Sequence, residues 1–542
     1  MGPQRRIVVS VDFGTTYSGV AWSETSKPDV QHVISKWPSA NGFKSSPKVP
    51  TELRRMANGW QWGFQIPSSA KRLRFFKLKL DDPSGTTGEG ESPQQLTKIF
   101  LTCLHDHFIK VLEDSLSSTI VRTTPMDFVV TVPAIWTPAA KQATERAAAM
   151  AGFCSNRRIM LVSEPEAAAL YTLKNNGTAK VKRGQKYIIC DAGGGTVDLI
   201  TYEVTDPDRM LLKEVTEGTG GRCGSGMLNM RFRRHLKQKH GEKHWPDERL
   251  VGALNEFEAY KKTFTPSEEP LTLKVDPALG LRRDRYMIPQ DEMKMKVFEP
   301  IMKDIICLIE EQLTMAGGNI SAVILVGGFG QSQYLKNRIR EAVKKSTPVL
   351  QPGDGWAAVV KGAVLHGLGQ HVNLASSPKI VSRVARGSYG TCLMTKYDPK
   401  QHDLREAFWD EKEEETVVFV MLWFIRKGES YPEDRPSNIE FQCDVPVHMG
   451  KAPQTEIEVF VNNEVQAPRH LDANTRCIAV LSLDVMGIPT SVKRQASIQR
   501  MGGFRYFSIP GMIEARYDSA MITYSAKLGG VVHDRIRVDY ER

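Results

Sequence analysis

The chain is poor in the features that mark several protein classes. Its 542 residues hold eight cysteines, and the nearest two, Cys190 and Cys223, stand 33 positions apart. Without a CxxC pair the common zinc and thioredoxin-like spacings are excluded. Scattered thiols fit a reducing compartment, read here as the cytoplasm or the nucleus. The longest apolar run, residues 417–425, falls far short of the ~20 residues that span a bilayer, so no membrane role is expected. The first residues, MGPQRR, lead into a short strand-like run with no secretory apolar stretch or cleavage site. P-loop, nucleophile-elbow and HExxH patterns are all missing, which excludes the enzyme classes they define.

What remains is ordinary: 41% hydrophobic and 25% charged residues, a globular composition. At roughly 150 residues per domain the length predicts about two to four domains. The net charge of +10 is mild for this length. Its densest basic stretch, residues 231–243 (RFRRHLKQKHGEK), lacks interleaved aromatics and reads as the solvated face of a helix, with no nucleic-acid partner expected.

Two segments share an unusual shape. In the first, Ile7-Val8-Val9-Ser10-Val11 runs into Asp12 and then Phe13-Gly14-Thr15-Thr16-Tyr17. In the second, Tyr187-Ile188-Ile189-Cys190 runs into Asp191 and then Ala192-Gly193-Gly194-Gly195-Thr196-Val197-Asp198. Each predicts a buried strand, an acid at its tip, a Gly/Thr turn and a returning strand. Their recurrence suggests two similar lobes. Further strands are predicted over residues 128–132 and 322–326, with a helix capped by Thr137-Pro138 and ended by Gly152. The region to about residue 369 therefore reads as α/β. Beyond residue 371, runs at 416–423, 455–461, 478–485, 519–526 and 535–540 predict an all-β, sandwich-like part. The G-x-G-x-x-A match at residues 353–358 follows Pro352 with no strand leading in, and is read as chance.

Glycine-rich turns let backbone N–H groups approach phosphate oxygens, and threonine adds a donor. A strand-tip acid can hold Mg²⁺ through water, because Mg²⁺ dehydrates reluctantly. Two such hairpins facing each other would clamp a nucleotide triphosphate.

The two hairpins, together with Thr131-Val132-Pro133-Ala134, Ser163-Glu164-Pro165-Glu166, Leu325-Val326-Gly327-Gly328 and Ala70-Lys71-Arg72-Leu73, resemble the actin-like ATPase domain of the seventy-kilodalton heat-shock chaperones. The resemblance covers about residues 5–370, and more weakly the β-rich tail. It implies a two-lobed, ribonuclease H-like α/β domain (lobes 1–190 and 191–370), a linker at 371–378 and a β-sandwich-like substrate-binding part at 379–542. It also implies ATP/ADP and Mg²⁺ as cofactors. Asp12, Gly14, Thr15, Thr16 and Tyr17 match the first phosphate loop, and Asp191, Gly193, Gly194, Gly195 and Thr196 the second. Asp12, Asp191 and Glu164 match acids around the metal, and Asp198 the acid that orients the attacking water. Glu258, Lys261, Lys262 and Thr265 match the adenosine-clamping helix, with Gly327, Gly328 and Gln331 across the base. The catalytic lysine is left open between Lys71 and Lys77. Without the family, Glu164 is an acid at a helix start, stabilising in itself, and either lysine a solvated charge.

The sequence departs from the family's pattern. Phe329 and Gln331 stand where serine and arginine are usual after Val-Gly-Gly, and Lys262 replaces a second stacking arginine. The acidic, leucine-rich linker is replaced by His371-Val372-Asn373-Leu374-Ala375, and a helical lid and acidic docking tail are not expected. The reading is an ATP-binding, ATP-hydrolysing chaperone-like protein that takes extended peptide segments and co-chaperones. The alternatives are a nucleotide-gated module with negligible hydrolysis and an actin-fold phosphotransferase.

Overall fold

The computed structural model describes residues 5–82, 90–154, 159–175, 181–241, 245, 247–266, 269–274, 285–371, 378–411, 414–446, 455–483, 488–495, 497–501, 504–533 and 536–539. Most of the expected linker (372–377) and the last three residues lie outside the described residues. The chain divides into two compact units, Met1–Ile380 and Val381–Arg542.

The first unit holds two sheets of the same design. In one, Met160–Ser163 (β4), Met126–Val132 (β3), Ile7–Asp12 (β1), Tyr17–Glu24 (β2) and His32–Val33 lie side by side in that order. β1 pairs in parallel with β3 and antiparallel with β2. In the other, Val349–Leu350, Ala322–Val326 (β7), Lys186–Ala192 (β5), Val197–Asp206 (β6) and Leu211–Glu214 repeat the order, again with a parallel neighbour on one side of β5 and a hairpin on the other. The unbroken apolar runs of β1 and β5 follow from this central position, since both faces are buried.

Two helices join the sheets through one core. Glu164–Lys174 (α2) and Ala358–Leu368 (α5) cross so closely that a Cβ on Gly362 would fall 1.6 Å from the carbonyl oxygen of Ala167. Small residues, Ala167 to Ala169 and Ala363, permit this approach. Around them pack Val8 and Val129 of the first sheet and Ile189 and Ile324 of the second. The hydroxyl of Ser10 donates to the carbonyl of Val360 at 2.7 Å and ties α5 to β1. The expected helix is Pro138–Met150 (α1), capped by Thr137, whose hydroxyl accepts from the Ala140 N–H. Gly152 follows it with φ +103°.

The second unit is β-rich, as expected. One sheet holds Phe408–Asp410, Glu415–Ile425, Ser388–Lys396, Thr455–Asn462, Arg476–Leu483 and Ile536–Asp539. The other is built on Ser437–Pro446, Phe504–Tyr517 and Ile522–Leu528. Phe424 of the first meets Tyr524 of the second edge to face at 6.0 Å.

Two sequence readings change. The strand Phe504–Tyr517 was not among the expected runs. Its pairing with the Ile522–Leu528 strand starts only at Gly511, so Pro510 needs no N–H on that side. A Cβ on Gly511 would fall 2.4 Å from the Phe441 ring, so the glycine makes room for an aromatic neighbour. One premise of the chance reading of residues 353–358, that no strand leads in, also changes. The short strand Val349–Leu350 does lead toward them, and α5 begins at Ala358.

Candidate functional site

The β1–β2 and β5–β6 turns touch. A Cβ on Gly194 would fall 2.0 Å from the Thr16 hydroxyl oxygen, and one on Gly195 would fall 2.6 Å from that of Thr15. Only glycine lets the turns come this close. Behind the second turn starts the helix Ser225–His240 (α3). The carbonyls of Gly193, Gly194 and Gly195 accept from the N–H groups of Ser225, Gly226 and Gly224, at 3.1, 2.7 and 3.2 Å. Peptide N–H and C=O groups point in opposite directions. The N–H groups of Gly194, Gly195 and Thr196 therefore turn away from α3, leaving donors for an anion.

The turns open on a cavity of about 300 Å³. At its floor three carboxylates meet two lysines, with a fourth acid, Asp198, buried just behind. Asp12 and Asp191 end their strands, and Asp198 is the direct cross-strand partner of Asp191. Glu164 begins α2. The Lys77 ammonium donates to Glu164 at 2.7 Å, and the Lys48 ammonium donates to Asp12 at 2.5 Å. The Thr131 hydroxyl donates to the other Asp12 oxygen at 3.3 Å. The Ile135 N–H donates to Asp198 at 3.3 Å. Burial pushes the Glu164 carboxyl up to about 7; Lys77 opposes this, and Asp198 and Asp12 add to it. Burial, with Glu164 and Asp12 nearby, pushes Asp191 well above the carboxylate range.

The far end of the cavity is formed by Asp247–Thr263 (α4) and the turn after β7. Glu258 bonds the Lys261 ammonium at 2.8 Å and the Asn229 amide at 2.7 Å. Burial pushes the Glu258 carboxyl up, but Lys261, Asn229 and Lys262 outweigh it and hold it low. Gly327, at φ +83°, packs where a Cβ would fall 2.4 Å from Asp191. Beside Gly328 stands Trp356, in edge contact with Tyr17 at 5.4 Å. Phe329 is only 5% exposed and belongs mainly to the core of the second lobe.

Most of the residues expected from the sequence converge here. Asp12, Gly14, Thr15, Thr16, Tyr17, Lys77, Glu164, Asp191, Gly193 to Thr196, Glu258, Lys261, Lys262, Gly327, Gly328 and Gln331 all line the cavity. Asp198 lies buried just behind it. Lys71 and Thr265 do not line it. Lys71 is exposed, and Thr265 follows the end of α4 and points to solvent. Of the two lysines left open, Lys77 is the one inside. Several lining residues were not foreseen: Lys48, Arg74, Asn229 and Trp356.

The acids also test the fit of a metal. Among the described residues no three histidine, cysteine, aspartate or glutamate side chains converge to hold one directly. Two of the three expected acids already carry a lysine. The set fits a Mg²⁺ reached through water and phosphate oxygens, and does not fit one ligated directly.

Comparison with known proteins places this geometry. The family model "Hsp70 protein" matches residues 82–374. The chain is 26% identical to mouse "Heat shock 70 kDa protein 12A", across 73% of this chain and 73% of that protein. It is 25% identical to human "Heat shock 70 kDa protein 12B", across 73% and 72%. It is also 25% identical to the "Chaperone protein DnaK" of Thermosipho melanesiensis, across 68% and 61%. No described helix is long and apolar enough to cross a membrane.

Proposed function

The chain belongs to the Hsp70 family, and from that premise we propose that it binds ATP and ADP between the two hairpins and hydrolyses ATP as a chaperone-like protein. The observation that carries this reading is the contact of Gly194 and Gly195 with Thr16 and Thr15. It brings two donor-rich turns together at one cavity, above a floor of acids and lysines. Residues 1–190 and 191–370 act as the two lobes of the nucleotide domain, residues 371–378 link it to the rest, and residues 379–542 take extended peptide segments.

Each part has a task in that chemistry. The N–H groups of Gly194, Gly195 and Thr196, with the hydroxyls of Thr15 and Thr16, bind phosphate oxygens. Lys77 offsets negative charge on the transferred phosphoryl group. Asp198 and Glu164 orient the attacking water. Burial raises the Glu164 carboxyl to about 7, and its Oε1 keeps Lys77. Asp12, Asp191 and Glu164 would hold a Mg²⁺ through water, and the ion would supply further charge neutralisation. Catalysis then rests on positioning and electrostatics, with no covalent step.

A single-turnover assay with ATP, with and without small-molecule phosphoryl acceptors, tests the reading. It predicts ADP and inorganic phosphate in both arms. Bound ATP that stays intact identifies a nucleotide-gated module instead. Phosphorylated acceptor identifies a phosphotransferase.

A further inference from the structure

Lys48 was not foreseen in the site, and its placement is built rather than incidental. It precedes the short strand Val49–Pro50, which pairs with Ser18 and Tyr17 of β2. The Thr51 N–H donates to the carbonyl of Thr16 at 2.8 Å and fixes this segment to the first phosphate turn. The lysine stem then needs a path to the floor of the cavity. Gly19, the cross-strand partner of Asp12, provides it: a Cβ there would fall 3.2 Å from Cγ of Lys48. The ammonium arrives on Asp12 Oδ2 at 2.5 Å, with only 7% of the lysine side chain and 4% of the aspartate side chain exposed.

A carboxylate this buried requires a counter-charge. At a triphosphate site a divalent ion commonly supplies one. Here Asp12 has its own: Oδ2 holds Lys48 and Oδ1 takes the Thr131 hydroxyl. Glu164 is likewise held by Lys77. Only Asp191, of the three acids expected around a metal, has no lysine bonded to it among the contacts above. The floor thus carries two fixed ammonium groups within reach of incoming phosphates.

We propose that Lys48 is a resident cation of the phosphate site, whose ammonium, delivered to Asp12 past Gly19, replaces much of the charge a divalent metal supplies, so that nucleoside di- and triphosphates bind this chain with little dependence on Mg²⁺. The proposal rests on the nucleotide-binding reading above. Hydrolysis keeps its need for the metal, because Lys48 adds charge at one fixed point and cannot bridge phosphate oxygens as an ion does.

Calorimetric titration of ADP into the whole chain, in Mg²⁺ and in excess chelator, tests it. The wild type is expected to lose no more than about threefold in affinity on chelation, and Lys48→Met to lose tenfold or more, about 1.4 kcal/mol. If Lys48→Met does not fold, Lys48→Gln, which removes the charge but keeps a donor for Asp12, is held to the same outcome. Loss of wild-type binding on chelation, or equal metal dependence in wild type and variant, overturns the role of Lys48. No ADP or ATP binding in either buffer overturns the nucleotide reading itself.

Discussion

Removing Lys77 should change stability in a pH-dependent way. The lysine side chain is 1% exposed and bonds Glu164, whose carboxyl stands at about 7 against 4.5 for a free glutamate. A carboxyl raised on folding makes the native state bind more protons than the unfolded one, so stability falls as pH rises from 4.5 to about 7. Over that window the wild type loses roughly 3 kcal/mol through this group, at about 1.4 kcal/mol per pH unit. Lys77 holds the carboxyl down; without it the Glu164 pKa rises further. In Lys77→Met the loss of stability therefore continues above pH 7, where that of the wild type has stopped. At pH 5 both proteins hold Glu164 protonated, and the variant differs through the lost ammonium, its bond to Glu164 and its contacts with Phe13 and Trp136. By pH 8 the gap should widen by roughly 1 kcal/mol or more. Urea unfolding of both proteins across this range measures it. A gap that stays constant from pH 5 to 8 refutes the coupling of Lys77 to Glu164.

Other consequences are as direct. Gly362→Ala places a Cβ against the Ala167 carbonyl and should cost about 1–3 kcal/mol in unfolding free energy, because backbone must move; an unchanged urea midpoint contradicts the tight crossing of α2 and α5. Asp191→Asn should abolish single-turnover hydrolysis while leaving the melting temperature near that of the wild type or above it, since burial already disfavours the charge there. At the base, Gln331→Arg should tighten ATP binding by ~0.5–2 kcal/mol through guanidinium stacking. Trp356→Ala should weaken it, and equal affinities in all three proteins would show that neither residue 331 nor Trp356 faces the base.

The sequence was most legible where chemistry and local structure coincide. A buried run ending in Asp and a Gly/Thr turn can be recognised twice over, and both turns meet as expected. Lys48 was invisible for the opposite reason: Pro47-Lys48-Val49 looks like any surface segment, and only the pairing of Val49 with Ser18 carries the lysine inward. Lys71 and Lys77 are six positions apart in one loop, and pattern alone could not tell which turns in; Lys77 does, between Phe13 and Trp136. Thr265 was assigned by continuing a helical match past Thr263, where α4 ends. In the second unit, the longest described strand, Phe504–Tyr517, was missed. Its Gly511 lies against the Phe441 ring, a long-range contact that no local pattern encodes.

The central claim is that the two facing hairpins hold a nucleotide, and the measurement closest to it is calorimetric titration of ATP into the wild type and Gly194→Ala. A methyl at residue 194 would fall 2.0 Å from the Thr16 hydroxyl and must push the turns apart without touching the acids or lysines. The account predicts one ATP per wild-type chain, displaced by ADP, and affinity at least about tenfold weaker in the variant. An absence of ATP binding by the wild type, or equal affinity in a correctly folded Gly194→Ala, would contradict it.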